Sequence, residues 1–443
     1  MAVREHWSGR FGFIMATAGS AVGLGNIWKF PYEAGQHGGG AFLLLYLLFI
    51  ALFGLSLVIA ELLIGRTAQR NPVGAFATLG GRGWPLVGGI GVLAGFVILS
   101  FYIIVAGWTL AYLGFMTGGP LGADTEALGQ RFGTFVSDPV APILYAALFL
   151  ILCVGVVIGG VNAGIEKASR LLMPALFVLL VILVVRSVTL PGAGEGLRYY
   201  LTPDWSKVTM QTISSAVGQA FFSLSLGMGC LITYGSYLNR HDDVTGSASI
   251  IVGLDTLVAL LAGLMILPAV FAFGFDPAAG PGLTFITLPA VFAQMPGGTY
   301  FGLLFFGLLA VAALTSAISL LEVVVCYFTD EHAMSRRSAT IMVATISFLL
   351  GIPASLSLGI WSGFTVPGTG LSIFDFLDFS ASQLMLPLGG LLTAVFVGWR
   401  WARPARTLLI DGGLPAVIAT TWILILRYVA PVGIAIILYG ALT

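Results

Sequence analysis

Long uncharged apolar runs alternate with short clusters of charge along the chain. Asp, Glu, Lys and Arg are absent from six stretches, namely 34–60, 83–123, 139–165, 208–239, 277–321 and 338–374. A helix needs roughly 20 apolar residues to cross a bilayer. Cutting the chain at charge clusters and at Gly/Pro-rich loops predicts eleven transmembrane helices, numbered here as segments 1 to 11: 10–32, 40–66, 84–116, 140–159, 165–187, 210–238, 243–274, 297–328, 337–355, 371–400 and 414–440.

The composition excludes a water-soluble protein. Hydrophobic residues make up 58% of the 443 residues and charged residues only 9%, whereas a soluble domain carries about 25% charged residues. The predicted fold class is therefore an all-α polytopic membrane protein, with a single transmembrane domain over 1–443 inside a lipid bilayer. Basic and acidic residues balance at 19 each, so no nucleic-acid partner is expected.

The distribution of Lys and Arg predicts the orientation in the membrane. With the N-terminus inside, thirteen of these residues fall on the cytoplasmic side, and the opposite side holds only Arg131, Arg186, Arg198 and Lys207. The odd number of helices then places the C-terminus outside. We expect a multi-pass protein of the plasma (inner) membrane that is a monomer or a weak oligomer.

Two predicted helices carry a Gly-x-Gly in the middle of the span. Segment 1 contains AGSAVGLGN at 18–26, and segment 6 contains SLSLGMG at 223–229. Close packing of helices through small residues explains a single pair of this kind. Two such breaks, five helices apart and flanked by polar residues, instead favour a transporter site between two inverted five-helix repeats, approximately 7–187 and 205–400, with 414–440 as an extra helix. Parallel repeats and a channel remain open on these residues alone.

Other polar side chains lie inside predicted spans, where ionisable groups are costly and face a cavity, an ion or a partner. Asp255 in segment 7 has no basic residue within its own span, which favours a role as an ion ligand. For Glu61 in segment 2, a hydrogen-bonding role that braces a broken helix is favoured over direct ligation. Sodium is a hard cation, and unwound carbonyls with Asn, Thr, Ser and Asp side chains supply the oxygen ligands that hard cations take.

Five motifs resemble the neurotransmitter:sodium symporter family: WSGRFGFIMATAGSAVGLGNIWKFP (7–31), GGGAF (38–42), ELLIGR (61–66), GQAFFSLSLGMGCLITYGSY (218–237) and ALTSAISLLEVVV (313–325). The likeness is collinear over nearly the whole chain. It implies a sodium-coupled symporter with broken helices 1 and 6, and no enzymatic activity. Eleven helices resemble a bacterial branch of this family that transports bulky hydrophobic amino acids.

The resemblance implies two sodium sites. The first would use the Ala21 carbonyl, Asn26, Ser223, Asp255 and the carboxylate of the substrate. The second would use the carbonyls of Gly19, Val22 and Ala312 and the hydroxyls of Thr315 and Ser316. Because the substrate completes the first site, sodium and substrate would each bind poorly without the other.

The resemblance also implies an amino-acid substrate. Its carboxylate would meet the N–H groups of Leu24 and Gly25, at the positive end of a half-helix, and the Tyr102 hydroxyl. Its ammonium would meet Ser225 and the carbonyls of Ala21, Phe222 and Ser223. Gly23 stands where monoamine transporters of the family have Asp, which favours an amino acid over an amine.

The pocket for the substrate side chain would comprise Ile98, Tyr102, Phe222, Ser225, Met228, Ser316 and Leu320. It has no charged wall, so leucine-, phenylalanine- or tryptophan-like substrates are predicted, with a weak preference for the aromatic ones. Another small zwitterionic or amine substrate is the alternative.

Two gates follow from the resemblance. On the outside Lys29 would face Asp378, with Tyr102 and Phe222 as a lid. On the inside the gate would comprise Arg4, Asp330, Trp7, Ser236 and Tyr237. Ordinary interfacial solvation is the alternative for these charges. The Gly-x9-Pro stretch from Gly164 to Pro174 would unwind to admit water to the second sodium site, or would form a plain proline kink.

Chloride is not expected to be required. Chloride-dependent relatives place Ser where this chain has Ala259, and Asp255, where the family usually has Asn, would supply the missing negative charge. An intramembrane enzyme is disfavoured because the four histidines lie near segment ends, without an HExxH or GxSxG motif. Accumulation of substrate against its gradient would separate a carrier from a channel or from a receptor relative.

Overall fold

A computed structural model of the chain describes residues 4–278 and 282–442. Within these residues the protein is helical, and its one β-type contact is an isolated antiparallel bridge between Gly39 and Pro203. The all-α membrane fold class predicted from the apolar runs is therefore confirmed.

The helices take the numbers of the predicted segments that they occupy. They are 1a (Arg10–Ala21), 1b (Gly25–Gln36), 2 (Gly40–Ala68), 3 (Pro85–Thr117), 4 (Ala141–Ile158), 5 (Val161–Val188), 6a (Met210–Ser223), 6b (Cys230–Gly235), 7 (Val244–Ala272), 8 (Gly298–His332), 9 (Arg336–Leu356), 10 (Ile373–Arg400) and 11 (Ala416–Ile436). Shorter helices lie at Pro72–Gly80, Thr125–Ser137, Ala193–Leu201, Leu283–Gln294 and Ala402–Asp411.

The number of continuous spans differs from the eleven predicted. In the described part of the chain nine helices are long and apolar enough to cross a membrane, or ten if helices 1a and 1b count as one span. Segment 6 accounts for the one span by which ten still falls short of the eleven predicted. Residues 224–229 separate helices 6a and 6b, which have 14 and 6 residues, and neither reaches the roughly 20 residues that a span needs.

Helix 1 is interrupted at the predicted Gly-x-Gly. Helix 1a ends at Ala21, and the next residue, Val22, has an extended backbone with φ −72° and ψ 103°. Helix 1b begins at Gly25, and the two halves are bent by 51°. The end of one half-helix and the start of the other therefore meet in the interior of the protein.

Helix 6 is interrupted by a left-handed backbone, with φ 54° at Ser225, 80° at Gly227 and 76° at Gly229. A non-glycine residue is strained in this region, and the Ser225 hydroxyl is held by donating to the Ser20 carbonyl at 3.0 Å. Gly227 admits no side chain, because a Cβ there would overlap a backbone carbonyl of helix 10. Its N–H donates to the Glu61 carboxylate at 2.8 Å, so Glu61 braces this break as the sequence predicted.

Helices 3 and 8 pack along each other and, together with the two breaks, enclose the centre of the molecule. The breaks occur five helices apart, in helices 1 and 6. This is the spacing that two five-helix repeats require. The inverted-repeat relation of 7–187 and 205–400 itself stays a prediction.

Candidate functional site

A small cavity lies between the two helix breaks and helices 3 and 8. Eleven of the twelve predicted substrate residues line this cavity: Ala21, Gly23, Leu24, Gly25, Ile98, Tyr102, Phe222, Ser225, Met228, Ser316 and Leu320. The twelfth, Ser223, is not part of the lining. Ser20 and Ser319 line the cavity, although the sequence analysis did not assign them to the substrate.

The break in helix 1 forms the polar end of this central cavity. The Leu24 N–H lies 3.5 Å from the Tyr102 hydroxyl oxygen. Gly23 is packed so closely that a Cβ there would overlap the Ser316 hydroxyl oxygen and would lie 3.3 Å from that of Tyr102. The rest of the lining is mostly apolar, and none of the lining residues is charged. The cavity therefore offers backbone and hydroxyl groups at one end and apolar side chains elsewhere.

The predicted first ion site is assembled by helices 1b, 6a and 7. The Asp255 carboxylate accepts from Asn26 Nδ2 at 2.7 Å and from the Ser223 hydroxyl at 3.1 Å, and all three residues are buried. Tyr46 adds a hydroxyl 3.0 Å from that of Ser223. Tyr46 was not predicted, because nothing in segment 2 distinguishes it from an ordinary core tyrosine.

The Asp255 carboxylate has no cationic partner among the described ion pairs. An unpaired buried carboxylate is costly unless a cation or a proton accompanies it. The described residues contain no group of three His, Cys, Asp or Glu of the kind that holds a transition metal. Amide, hydroxyl and carboxylate oxygens are instead the ligands of a hard cation.

The predicted second ion site brings the end of helix 1a against helix 8. The Ser316 hydroxyl lies 3.4 Å from the Val22 carbonyl and 3.3 Å from that of Ser20. The Thr315 hydroxyl donates to the Ala312 carbonyl at 3.0 Å. Gly19 packs against Thr315, since a Cβ on Gly19 would lie 3.2 Å from the Thr315 Cβ. These contacts bring the end of helix 1a against the part of helix 8 that carries Ala312, Thr315 and Ser316.

The residues predicted to form the inner gate are in contact with one another. Arg4 forms an ion pair with Asp330 at 2.8 Å, and both side chains are about one-fifth exposed. Arg4 also donates to the hydroxyl and the carbonyl of Ser236 and lies 5.0 Å from the centre of the Tyr237 ring. Trp7 is buried beside it, and its backbone N–H donates to the Tyr237 carbonyl at 3.1 Å.

A second ion pair, which was not predicted from the sequence, lies beside these residues. The buried Glu322 carboxylate accepts from the Tyr237 hydroxyl and from Arg336, each at 2.5 Å. The position of Glu322 was a usable signal, because it is the acid that ends the uncharged run 277–321. Its partner could not be deduced, since Arg336 reaches it from the start of helix 9.

The predicted outer ion pair is not formed. Lys29 and Asp378 line one outer cavity together with Tyr102 and Phe222, but the two charges do not form an ion pair. The Lys29 ammonium lies 5.0 Å from the centre of the Phe222 ring, and the Asp378 carboxylate accepts from the Ser382 hydroxyl at 2.8 Å. A flexible lysine makes a weaker directional pair than the arginine usual in the family, and here the aromatic face holds it instead.

Two interrupted membrane helices around a buried cavity are typical of a secondary transporter. The chain belongs to the sodium:neurotransmitter symporter family, whose family model matches residues 4–122 and 136–442. It is therefore a sodium-dependent symporter of a membrane and not an enzyme.

Bacterial relatives and a solved structure agree with this assignment. The chain is 41% identical over 435 residues to the uncharacterized sodium-dependent transporter YhdH of Bacillus subtilis, which covers 97% of this chain and 96% of the relative. It is 39% identical over 409 residues to an uncharacterized sodium-dependent transporter of Haemophilus influenzae, covering 89% of each. Its structure matches that of MhsT in complex with L-phenylalanine with a TM-score of 0.92 and 48% identity, over 99% of this chain and 100% of MhsT.

Proposed function

We propose that this symporter imports hydrophobic L-amino acids, including aromatic ones, together with sodium by alternating access. The observation that carries the proposal is the central cavity, which has a polar end at the helix 1 break and no charged lining residue. A charged amino-acid side chain would be desolvated there without a partner, at a large cost. MhsT, the similar transporter, was solved with L-phenylalanine.

The polar end of the cavity suits a zwitterion. The N–H groups of Leu24 and Gly25 begin helix 1b, where the helix dipole favours a carboxylate, and Tyr102 adds a hydroxyl donor. The ammonium would be held by Ser225 and by the carbonyls of Ala21, Phe222 and Ser223. The side chain would then extend toward Ile98, Met228 and Leu320, where the unbranched Met228 adapts to its shape.

Two sodium ions would accompany the substrate. The first would be held by the Ala21 carbonyl, Asn26, Ser223, Asp255 and the substrate carboxylate, and the second by Gly19, Val22, Ala312, Thr315 and Ser316. Helix 1 contributes ligands to both sites and to the substrate, so the three would order the same break. Binding of each would favour binding of the others, because each removes part of the ordering cost.

The closed gate at Arg4 and Asp330 suits the state in which the substrate enters from the opposite end. The cavity between Lys29 and Asp378 would be the entry path, with Tyr102 and Phe222 separating it from the substrate. The excess of Lys and Arg favours a position of the Arg4 gate on the cytoplasmic side of the inner membrane, with the C-terminus outside.

Uptake by proteoliposomes tests this proposal. We expect an inward sodium gradient to accumulate L-phenylalanine above its external concentration, whereas a potassium gradient gives no accumulation. L-leucine and L-tryptophan should compete, and phenethylamine, which lacks the carboxylate, should not. Competition by glycine or glutamate without competition by any bulky apolar amino acid would contradict the substrate class. Competition by phenethylamine would favour the amine alternative, and flux without accumulation would favour a channel.

Replacing chloride by gluconate should leave this uptake unchanged. Asp255 supplies a negative charge within one turn of Ala259 on helix 7, and both residues are buried, so no external anion is required beside the first sodium. The initial rate of sodium-driven phenylalanine uptake, measured in matched chloride and gluconate media, checks this expectation. A rate that falls in gluconate and recovers when chloride is restored would show it to be wrong.

A further inference from the structure

The N-terminal segment 4–9 is hydrogen-bonded to the start of helix 5 through two carboxylates. Neither carboxylate belongs to the proposed inner gate. Glu5 accepts the backbone N–H of Val161, the first residue of helix 5, at 2.5 Å. Gly160 makes room for this contact, because its φ is 83° and a Cβ there would lie 2.9 Å from the Glu5 carboxylate oxygens. An acidic side chain on an N-terminal N–H of a helix stabilises that end of the helix.

The second carboxylate, Glu166, belongs to helix 5 and contacts the N-terminal segment. Its carboxylate accepts the backbone N–H of Ser8 at 2.8 Å and the Ser8 hydroxyl at 2.5 Å. Arg170 lies 2.7 Å from the same carboxylate and donates to the Ser8 hydroxyl at 2.9 Å. The Glu166 side chain is 2% exposed. Hydrogen bonds to a buried charged group are among the stronger ones in proteins.

Both contacts lie close to regions that the proposed transport cycle rearranges, namely the inner gate and the second ion site. The six residues 4–9 also carry Arg4 and Trp7 of the inner gate. Helix 5 reaches the second ion site further along its length, since a Cβ on Gly19 would lie 3.2 Å from the Met173 sulfur. Helix 5 starts with a π-helical stretch, Val161–Glu166, directly after Gly160. The N–H of Val161 at this start is taken by the Glu5 carboxylate, so the N-terminal segment contributes directly to how helix 5 begins.

We propose that Glu5 and Glu166 are positioning residues that clamp the start of helix 5 to the N-terminal segment, so that the inner gate and helix 5 open as one unit. This inference rests on the proposed alternating-access function. Without the clamp, segment 4–9 keeps its described side-chain contacts with the gate region. These contacts are made by Arg4, His6 and Trp7. The gate then opens more often, and helix 5 loosens even while sodium is bound.

The buried Cys326 provides a native reporter of gate opening. Its sulfur lies 3.5 Å from Arg4 Nη2, and the residue is 2% exposed. We would measure the rate of its alkylation by N-ethylmaleimide by mass spectrometry of the peptide, with and without sodium and phenylalanine. The wild-type rate should fall when both are present. Ser8→Ala and Glu166→Gln should each raise the rate about tenfold, as the loss of one charge-assisted hydrogen bond predicts.

Three comparisons make this test specific to the clamp. Ser8→Thr keeps the hydroxyl and should retain the wild-type rate. Arg10→Gln removes the half-exposed Arg10–Asp243 pair from the same end of helix 1a and should also leave the rate unchanged. The Ser8→Ala/Glu166→Gln double variant should be no faster than Glu166→Gln alone, because the two groups act through one contact. Hydrogen exchange at residues 161–166 should rise in the same variants that alkylate faster.

The possible failures are distinguishable. If sodium and phenylalanine slow alkylation in the wild type but Ser8→Ala and Glu166→Gln alkylate at the wild-type rate, the clamp is overturned and the gate stands. The clamp is also overturned if alkylation rises without any change in hydrogen exchange at 161–166. If the wild-type rate does not respond to sodium and phenylalanine, the proposed gate itself is wrong. Ser8 is exposed, so Ser8→Ala tests the clamp even if Glu166→Gln does not fold.

Discussion

Replacing Asp255 by alanine is expected to raise greatly the sodium concentration that phenylalanine binding requires. The carboxylate is buried, accepts from Asn26 and Ser223, and has no cationic side chain paired with it in the described residues. Two unit charges 4 Å apart attract by about 4 kcal/mol at an effective dielectric constant of 20. We therefore expect the sodium concentration for half-maximal binding to rise by at least about a hundredfold. Equilibrium binding of radiolabelled phenylalanine across a sodium titration measures this change.

One further variant separates the charge of Asp255 from its shape, and a second serves as the control. Asp255→Asn keeps an oxygen ligand and loses the charge, so its sodium requirement should lie between those of the wild type and Asp255→Ala. Thr256→Val is the matched control, because the neighbouring hydroxyl is buried without a partner in the described structure and should be dispensable for sodium. A wild-type sodium titration for Asp255→Ala would exclude this carboxylate from the ion site.

Sequence patterns predicted the helices and the two breaks because each rests on a local rule. An uncharged run of more than 20 residues has few stable forms in hydrocarbon other than a helix, and such runs fill helices 2, 3 and 8. A Gly-x-Gly beside polar residues in such a run predicts an interruption, and helices 1 and 6 are interrupted there. The same interruption explains why segment 6 does not appear as one continuous span.

Contacts between side chains from distant segments were predicted less well. Residues predicted to hold the two ions come together, because the resemblance carried their pairing along with their identity. Lys29 and Asp378 line the same cavity without forming an ion pair, and the lysine lies over the Phe222 ring instead. Glu322 and Glu166 were missed because an acid at the end of a span does not reveal its partner. Only the packing of helices 5, 8 and 9 around the N-terminal segment determines which cation or N–H each carboxylate reaches.

The break in helix 1 joins the two proposed ion sites to the cavity. Asn26 follows the break and contacts Asp255, while Val22 lies within it and contacts Ser316. Gly23 and Leu24, between them, line the cavity. A substitution that changes the shape of this short segment should therefore affect substrate and sodium together, even when the new side chain touches neither ion site.

Gly23→Ala is accordingly expected to weaken phenylalanine binding strongly. The added methyl group would overlap the Ser316 hydroxyl and crowd that of Tyr102, at the end of the cavity where the carboxylate is proposed to bind. Overpacking a buried site costs typically about 1–3 kcal/mol, which corresponds to a loss of about tenfold to a hundredfold in affinity. Because every amino acid shares the carboxylate, leucine and phenylalanine should lose affinity by the same factor. Competition binding with both ligands in saturating sodium measures this.

The matched control for Gly23→Ala is Gly218→Ala in helix 6a, where a Cβ would meet open space. Gly218→Ala should bind both amino acids as the wild type does. If Gly23→Ala weakened phenylalanine but not leucine, the methyl group would be acting on the side-chain end of the cavity, and the carboxylate would have to bind elsewhere. If Gly23→Ala weakened the binding of neither amino acid, the backbone of residues 22–24 would have to shift without a loss of binding free energy. The ion contacts of Val22 and Asn26 would then not depend on the shape of this segment.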